Sequence, residues 1–314
     1  MFRLRIGYLI SGIATGCVLI VSFVWTLPDG KLHIFFCNVG QGDGAYIRFP
    51  DGRDMVVDGG PNDSILHCLG KHMPFWDRHI TFVAMTHPQK DHMQGLVSVF
   101  ERFTVDYFVR SDIDATTEGY KKFIDVIRRK KISEKFTVAG DHITVGATTL
   151  SFLWPSEEQI AKRGNSTRRP LAGQGDALKN QENVLGSSVG ELNDYSLVFF
   201  LRYGSFDAVF TGDADSHVEP HYTGSLLPDD QLELLKVPHH GSKTGMTQAF
   251  IDWLHPKLAV ISVGKNNYGH PTDEALQLLR SVGANVFRTD QDGTIEVTSD
   301  GTHWRVKGEK KVGD

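Results

Sequence analysis

Cysteine is scarce in this sequence, and its scarcity excludes a disulfide-stapled architecture. The three cysteines among 314 residues are too few for a disulfide framework, and no C-x-x-C pair indicates a zinc site built on thiolates. Cys17 lies in an apolar N-terminal stretch, and we expect Cys37 and Cys68 to be small buried side chains. Positive charge is also in deficit. The net charge of −5 provides no global attraction to nucleic acid, so any contact with phosphates must be local.

Charged residues are absent from one long stretch near the N-terminus. Residues 6–27 contain no Asp, Glu, Lys or Arg, and a helix of this length crosses a hydrocarbon core. Arg3 and Arg5 precede the stretch, which predicts a cytoplasmic N-terminus with the remainder of the chain outside. A cleaved signal peptide is the alternative, but the apolar run ends at Trp25-Thr26-Leu27-Pro28 without an A-x-A site. We therefore expect a single-pass membrane anchor at residues 1–30 and one domain at residues 31–314.

Strands and helices alternate through the domain. The pattern predicts a buried strand over Ile80–Met85, a helix over Asp91–Phe103 and an amphipathic helix over Glu118–Lys130. Hairpins mixed with helices suggest two sheets that face each other, with helices outside. Residues 155–193 are polar and rich in Gly, Ser, Asn and Gln, and we interpret them as a long loop or insertion.

Four polar segments that follow strands carry the chemistry. Divalent metals in hydrolases bind imidazole and carboxylate groups held on rigid strand ends, with one coordination position left open for substrate or water. By itself, each segment is also explained as a helix cap or a turn, but the four together favour a metal-dependent hydrolase. The segments are Thr86-His87-Pro88-Gln89-Lys90-Asp91-His92, Thr211-Gly212-Asp213, His239-His240-Gly241 and Tyr268-Gly269-His270-Pro271.

An ordered set of motifs extends over nearly all of the chain after residue 31. With these motifs, the chain resembles the metallo-β-lactamase superfamily, and within it the hydrolase domain of ComEC-type competence proteins. In order, the motifs are Phe36-Cys37-Asn38-Val39-Gly40-Gln41-Gly42-Asp43, Val57-Asp58-Gly59-Gly60, His87-Pro88-Gln89-Lys90-Asp91-His92, Asn193-Asp194-Tyr195-Ser196-Leu197-Val198, Thr211-Gly212-Asp213, Leu235-Lys236-Val237-Pro238-His239-His240-Gly241-Ser242, Asn267-Tyr268-Gly269-His270-Pro271 and Arg288-Thr289-Asp290-Gln291-Asp292-Gly293.

The resemblance implies an α/β (α+β) fold, a four-layer αββα sandwich with the metal site at one edge of its two sheets. It implies one or two divalent ions, zinc or manganese, and a ligand for each position. In that assignment His87 binds the first metal, Asp91 and His92 bind the second, and Asp213 bridges. Either His239 or His240 completes the second site, and the sequence leaves that choice open.

Other residues acquire supporting roles from the same resemblance. Asp58 corresponds to a carboxylate that orients metal ligands. His270 corresponds to a substrate-facing histidine that holds a phosphoryl oxygen or protonates the leaving group. Asn267 and Tyr268 beside it are the expected substrate contacts.

Two departures from the superfamily pattern concern the first metal site. Gln89 stands where the superfamily usually has His, and it offers only a neutral carbonyl oxygen as a weak metal ligand. The superfamily's middle His has no clear counterpart, although Asn193, Asp194 or Ser196 stands near its expected position. We therefore expect a weak or empty first site and a sound second one.

The leading functional hypothesis is hydrolysis of DNA phosphodiesters outside the cytoplasmic membrane, related to competence and DNA uptake. In this hypothesis Asp91 orients the attacking water and His270 assists the leaving oxygen. One anchor cannot conduct DNA, so a separate channel protein is the expected partner. The first alternative is an extracellular phosphoesterase acting on small or wall-linked phosphate esters. The second is a metal-poor module that binds DNA or another polymer without cleaving it, motivated by Gln89.

Overall fold

Two mixed β-sheets face each other in the computed structural model, which describes residues 6–24, 27–162, 192–225 and 231–310. Within these residues one sheet has the strand order β15-β14-β1-β2-β3-β4-β5-β6 and the other β13-β12-β11-β10-β9-β8-β7. The strands are β1 (Leu32–Phe36), β2 (Gly44–Arg48), β3 (Asp54–Gly59), β4 (His79–Met85), β5 (Thr104–Arg110), β6 (Ser133–Phe136), β7 (His142–Val145), β8 (Thr148–Trp154), β9 (Val198–Tyr203), β10 (Phe206–Phe210), β11 (Leu234–Lys236), β12 (Leu258–Ile261), β13 (Asn285–Arg288), β14 (Ile295–Ser299) and β15 (Trp304–Gly308).

Helices precede or connect the strands in the described residues. They are α1 (Ile6–Val24), α2 (Ser64–His72), α3 (Lys90–Arg102), α4 (Glu118–Lys130), α5 (Glu157–Lys162), α6 (Glu219–Tyr222), α7 (Gln248–Leu254), α8 (Asp273–Ser281) and α9 (Thr289–Asp292), with short 3-10 turns at Ser216–Val218, Thr223–Ser225 and Pro238–Gly241. The predicted helix over Glu118–Lys130 is confirmed. The predicted helix at the metal loop begins and ends one residue earlier than expected.

Alternation of side-chain direction along each strand supplies apolar residues to both faces of each sheet. Successive side chains of a strand point to opposite faces, and in β1 Ile34 enters the core between the sheets while Phe35 packs under the outer helices. The first sheet and helices α2 to α4 share one apolar core, and the second sheet and helices α7 and α8 share another. The predicted two-sheet αββα sandwich is therefore confirmed.

The parallel strands determine where the polar loops meet. β3, β4 and β5 run parallel in the first sheet, and β10, β11 and β12 run parallel in the second. Loops that leave the carboxyl ends of parallel strands emerge at one edge of a sheet. The segments that follow β3, β4, β10 and β11 consequently converge at a common edge of the sandwich.

The expectation for the cysteines was incomplete. Cys37 and Cys68 are buried, as expected, but they form a disulfide with their Cα atoms 5.8 Å apart. Cys37 directly follows β1, and Cys68 lies on the buried face of α2, which packs over that strand's sheet. The pairing depends on this packing across 31 residues of sequence, and no local motif announces it.

The remaining expectations about the chain's organisation have mixed outcomes. Ile6–Val24 is helical, but among the described residues no helix is both long and apolar enough to cross a membrane, so the structure does not support the predicted membrane-spanning helix. Of the predicted polar loop, Glu157–Lys162 forms a short helix. Residues 163–191 lie outside the described residues.

Candidate metal centre

Four side chains from three separate segments meet at the common edge of the sandwich. Asp91 and His92 belong to the first turn of α3, Asp213 follows β10, and His240 follows β11. Each offers one potential ligand atom, and these atoms lie within 4.8 Å of one another. Nε2 of His92 is 3.2 Å and Nε2 of His240 is 3.4 Å from Oδ2 of Asp213. The three segments are far apart in sequence, and only the packing of the two sheets brings them together.

Asp58 fixes the orientation of His92. Its carboxylate accepts hydrogen bonds from the backbone N–H and hydroxyl of Thr86 at 2.8 and 2.7 Å, and it lies 2.9 Å from Nδ1 of His92. A carboxylate at Nδ1 holds the proton on that nitrogen and leaves Nε2 as the coordinating atom. Burial alone lowers the pKa of His92, but Asp213 and Asp58 together raise that pKa well above its ordinary value.

The two consecutive histidines after β11 point to different places. His239 and His240 both have positive φ, 46° and 54°, a conformation that non-glycine residues seldom adopt. His240 is 2% exposed, and its Nδ1 donates to the carbonyl of Ser262 at 2.8 Å, so its Nε2 faces the cluster. His239 is 23% exposed, its Nδ1 lies 3.0 Å from Asp215, and its Nε2 is 4.0 Å from Asp213.

The donor set and its spacing suit a divalent cation. Ligand atoms about 2.1 Å from a tetrahedral ion lie about 3.4 Å from one another. The separations of 3.2 and 3.4 Å at Asp213, and of 3.6 Å between His240 Nε2 and Asp91 Oδ2, are close to that value. Nε2 of His92, Nε2 of His240 and Oδ1 of Asp213 are buried without a hydrogen-bond partner. Because unpaired buried polar atoms are costly, these residues fit a bound cation.

Electrostatics favour a positive charge at the same place. Burial by itself raises the pKa of Asp213 and lowers that of His240. The interactions of Asp213 with His240 and His92 nevertheless hold its pKa well below the ordinary value, and the pKa of His240 is raised well above its own. Asp91 behaves in the same way, since His240 and His92 lower its pKa despite burial. The carboxylates therefore remain ionised at neutral pH.

His87 lies beside the cluster but outside the four-residue group. It is fully buried with its ring centroid 4.1 Å from that of His92, and its Nδ1 lies 3.2 Å from the hydroxyl of Ser196. Burial and the neighbouring His92 lower its pKa to about 3. Of the other positions expected around a first metal, Gln89 donates through its amide to Oδ1 of Asn193, and Oδ1 of Asp194 lies 2.9 Å from Nε2 of His217.

His270 lies at the rim of the centre, 5.6 Å from His239 between ring centroids. Its Nδ1 is buried without a hydrogen-bond partner, and burial, together with His239 and His240, lowers its pKa. Tyr268 is 76% exposed, with its ring 5.8 Å from that of His270. Asn267 is exposed. Asn266 shapes this loop, since its Oδ1 accepts from the N–H groups of Tyr268 and His270.

Sequence reasoning missed a buried ion pair beneath the cluster. Lys236 is 4% exposed and pairs with Asp43, while its ammonium also donates to the carbonyl of Gly212 at 3.1 Å. Asp43 reaches His240, with 3.3 Å between Oδ1 and Nδ1. A signal was present in the sequence, because a lysine between Leu235 and Val237 in an otherwise apolar strand requires a buried partner. Asp215 and Asn266 gave no comparable signal.

Comparisons with known proteins place this geometry in a fold. No family model matches the sequence. The protein YhfI from Bacillus subtilis, described as a metallo-β-lactamase fold protein, superposes with a TM-score of 0.51 over 84% of this chain and 99% of its own, at 13% identity. This chain has the metallo-β-lactamase fold. ComE operon protein 3 of Bacillus subtilis is 26% identical to it over 297 residues, which cover 89% of this chain and 34% of that protein.

This metallo-β-lactamase-fold chain resembles the hydrolase domain of ComEC-type competence proteins. Competence protein ComA of Neisseria gonorrhoeae is 31% identical over 105 residues, 33% of this chain and 15% of ComA. The chain thus spans about a third of the length of ComE operon protein 3 and less of ComA.

Proposed function

We propose that this chain is a metal-dependent hydrolase of phosphodiesters with a single divalent ion, zinc or manganese, at its centre. One observation carries the proposal: Nε2 of His92, Nε2 of His240 and Oδ1 of Asp213 are buried without a hydrogen-bond partner, and the two Nε2 atoms lie 3.2 and 3.4 Å from Oδ2 of Asp213, a spacing that suits ligands of one ion. A bound ion at this position supplies Lewis-acid stabilisation of phosphoryl oxygens and activation of water.

The chain's own residues divide the remaining work. His92, His240, Asp213 and Asp91 hold the ion, and Asp58 keeps His92 in the coordinating tautomer. Asp91 is the most exposed of these ligands at 32%, so its carboxylate is the one that substrate and water reach. Ionised at neutral pH, it accepts a hydrogen bond from the attacking water and orients it toward phosphorus.

On the substrate side, His270 approaches the leaving group. Its lowered pKa keeps the imidazole neutral at neutral pH, so it donates a hydrogen bond through its N–H to a phosphoryl or leaving oxygen. Tyr268, exposed beside it, offers a ring on which an unpaired base can stack. Asn267, exposed on the same loop, is a further substrate contact in this proposal.

DNA is the proposed substrate, in keeping with the competence protein that the chain resembles. The exposed Tyr268 favours single-stranded DNA over a small phosphate ester, since a small ester has no base to stack. Two observations favour one ion rather than two. The Gln89 and Asn193 amides are hydrogen-bonded to each other, and His87, whose Nε2 is also buried without a hydrogen-bond partner, lies outside the ligand group. The same amide pair motivates the non-catalytic binding module as the second candidate.

Metal content and turnover in one preparation test this proposal. The full chain is purified, its metal is quantified by elemental analysis, and cleavage of single-stranded DNA and of a chromogenic phosphodiester is followed with added manganese or zinc. We expect one ion per chain and cleavage that is lost in Asp213→Asn. Tyr268→Ala should slow DNA cleavage while leaving the small phosphodiester unaffected.

Several results would overturn parts of this proposal. Folded protein without metal or turnover would leave the binding module. Turnover of the small ester alone would favour the phosphoesterase. Two ions per chain would contradict the single-ion centre.

A location outside the cytoplasm is also a proposal. The Cys37–Cys68 disulfide supports it, because stable disulfides belong mainly to oxidising compartments. A separate DNA-channel protein would then be the partner. Protease added to spheroplasts of the expressing cells should degrade the domain, whereas complete protection before lysis would contradict the proposed location.

A further inference from the structure

A cleft of about 410 Å³ opens between the two sheets at their β6 and β7 edges. Its floor consists of Phe82, Tyr107 and Lys135 from the neighbouring strands β4, β5 and β6. Phe82 and Tyr107 are paired in register, and Tyr107 is paired with Ser133, two residues before Lys135. Since residues two apart on a strand share a face, the three side chains project from the same face of the sheet.

The opposite wall comes from the segment that crosses between the sheets. Thr137, His142 and Ile143 line it, the last two on β7. None of the cleft-lining residues is among the proposed metal ligands. By strand spacing, Lys135 lies roughly 14 Å from His87, two strands across and three residues along. The cleft is therefore separate from the metal centre, at a distance that a few nucleotides span.

The lining combines aromatic faces with a cation. The rings of Phe82 and Tyr107 lie 5.7 Å apart, and the Lys135 ammonium is 5.3 Å from the Tyr107 centroid. Within the described residues, no carboxylate forms an ion pair with Lys135. The acidic member of the lining, Asp141, already accepts a hydrogen bond from the N–H of Val138 at 3.0 Å. The Lys135 ammonium is thus a charge that a phosphate can approach, on a lining that also carries the Asp141 carboxylate.

The lining also includes a residue with a buried hydroxyl. Thr137 is 5% exposed, and its Oγ1 has no hydrogen-bond partner. Unpaired buried hydroxyls are uncommon in native proteins because their desolvation is not compensated. The Thr137 oxygen is closed to solvent, so a ligand in this cleft meets an aromatic floor and an ammonium group, within a volume in the range of small-molecule sites.

We propose that this cleft binds a nucleotide, with the planar base against Tyr107 and the phosphate near Lys135. A base has a flat π face together with donors and acceptors on its edge, and its phosphate complements the Lys135 ammonium. The nucleotide is either free or a residue of a single strand. This binding site does not depend on the metal centre, so nucleotide binding can be tested independently of the proposed hydrolysis.

Titration in EDTA tests the cleft apart from the metal centre. The full chain is titrated with deoxyadenosine 5′-monophosphate, adenosine, inorganic phosphate and a deoxyadenosine hexamer, and binding is followed by calorimetry. The monophosphate should bind more tightly than adenosine or phosphate. Tyr107→Leu, which retains apolar volume without a ring face, should weaken its binding about tenfold, while Tyr107→Phe should not. Lys135→Met should weaken binding of the monophosphate but leave binding of adenosine unchanged.

The possible results distinguish a bound strand from a free nucleotide and from no nucleotide site. Tighter binding of the hexamer than of the monophosphate, with the same sensitivity to Tyr107→Leu, identifies strand residues as the ligand, and the reverse order identifies free nucleotides. Phe75→Ala removes an exposed ring elsewhere on the surface and should change nothing. Absence of monophosphate binding in EDTA, or binding indifferent to both Tyr107→Leu and Lys135→Met, would overturn the proposal even if the metal centre hydrolyses DNA.

Discussion

Replacing the adjacent histidines one at a time gives a sharp test of the proposed centre. His240→Ala removes a buried imidazole whose Nε2 lies 3.4 Å from Asp213 and 3.6 Å from Asp91. His239→Ala removes a neighbour of the same type whose Nε2 is 4.0 Å from Asp213 and whose Nδ1 lies against Asp215. The two variants differ by one position in sequence, so each is the matched control of the other.

The expected magnitudes follow from the spacing. Ligands of one tetrahedral ion lie about 3.4 Å apart, which His240 satisfies and His239 does not. Loss of a residue that merely orients a ligand costs about 10- to 100-fold in metal affinity. Loss of His240 itself should therefore cost at least about 100-fold, or roughly 2.8 kcal/mol of binding free energy. His239→Ala should cost less than about tenfold, because its Nε2 is 4.0 Å from Asp213, too far to hydrogen-bond and orient that ligand.

Equilibrium dialysis against buffered zinc and manganese, with elemental analysis of the retained protein, measures these affinities directly. Circular dichroism in EDTA checks that each variant is folded, and His240→Gln provides a second variant that preserves polarity. The thermal shift caused by metal should fall in parallel, since a ligand stabilises the folded state according to its affinity. A loss of metal in His239→Ala equal to or greater than that in His240→Ala would refute the assignment.

Three further predictions concern the disulfide, the carboxylate that orients His92 and a buried aspartate in β3. The double variant Cys37→Ser/Cys68→Ser should lose about 3–4 kcal/mol of unfolding free energy in urea, from the 31-residue separation that the disulfide spans; a loss below about 1 kcal/mol would contradict this. Asp58→Asn should weaken metal binding about 10- to 100-fold, because His92 loses the carboxylate that fixes its tautomer; dialysis that finds an unchanged affinity would remove Asp58 from the site. Burial raises the pKa of Asp54 to about 6, so its protonated form contributes stability that is full below about pH 4 and lost as the pH rises through 6. In urea denaturation, the unfolding free energy of Asp54→Asn should therefore exceed that of the wild type by on the order of 2–3 kcal/mol at pH 8. This difference should shrink toward pH 4. A difference that does not depend on pH would refute the raised pKa of Asp54 as its cause.

Local pattern predicted several of the elements and the polar segments that the structure brings together at the candidate site. The apolar run ending at Met85 predicted the strand β4, and the amphipathic period predicted the helix Glu118–Lys130. Residues of strand ends are recognisable locally because an apolar strand must stop where polar side chains begin. That is why His87 and Asp213 could be named before the sheets were assembled.

Other features of the site depend on the packing of the two sheets and cannot be predicted from any local sequence pattern. The choice between His239 and His240 depends on two left-handed residues in succession and on the carbonyl of Ser262, supplied from beyond β12. The Gln89–Asn193 amide pair joins positions 104 residues apart. The pairing of Cys37 was missed in the same way, since its partner is brought over β1 only by the packing of α2. The sequence by itself determined which side chains are available at each strand end. Only the tertiary structure decided which atoms face one another, because packing across the sheets sets the distances on which coordination, pairing and pKa all depend.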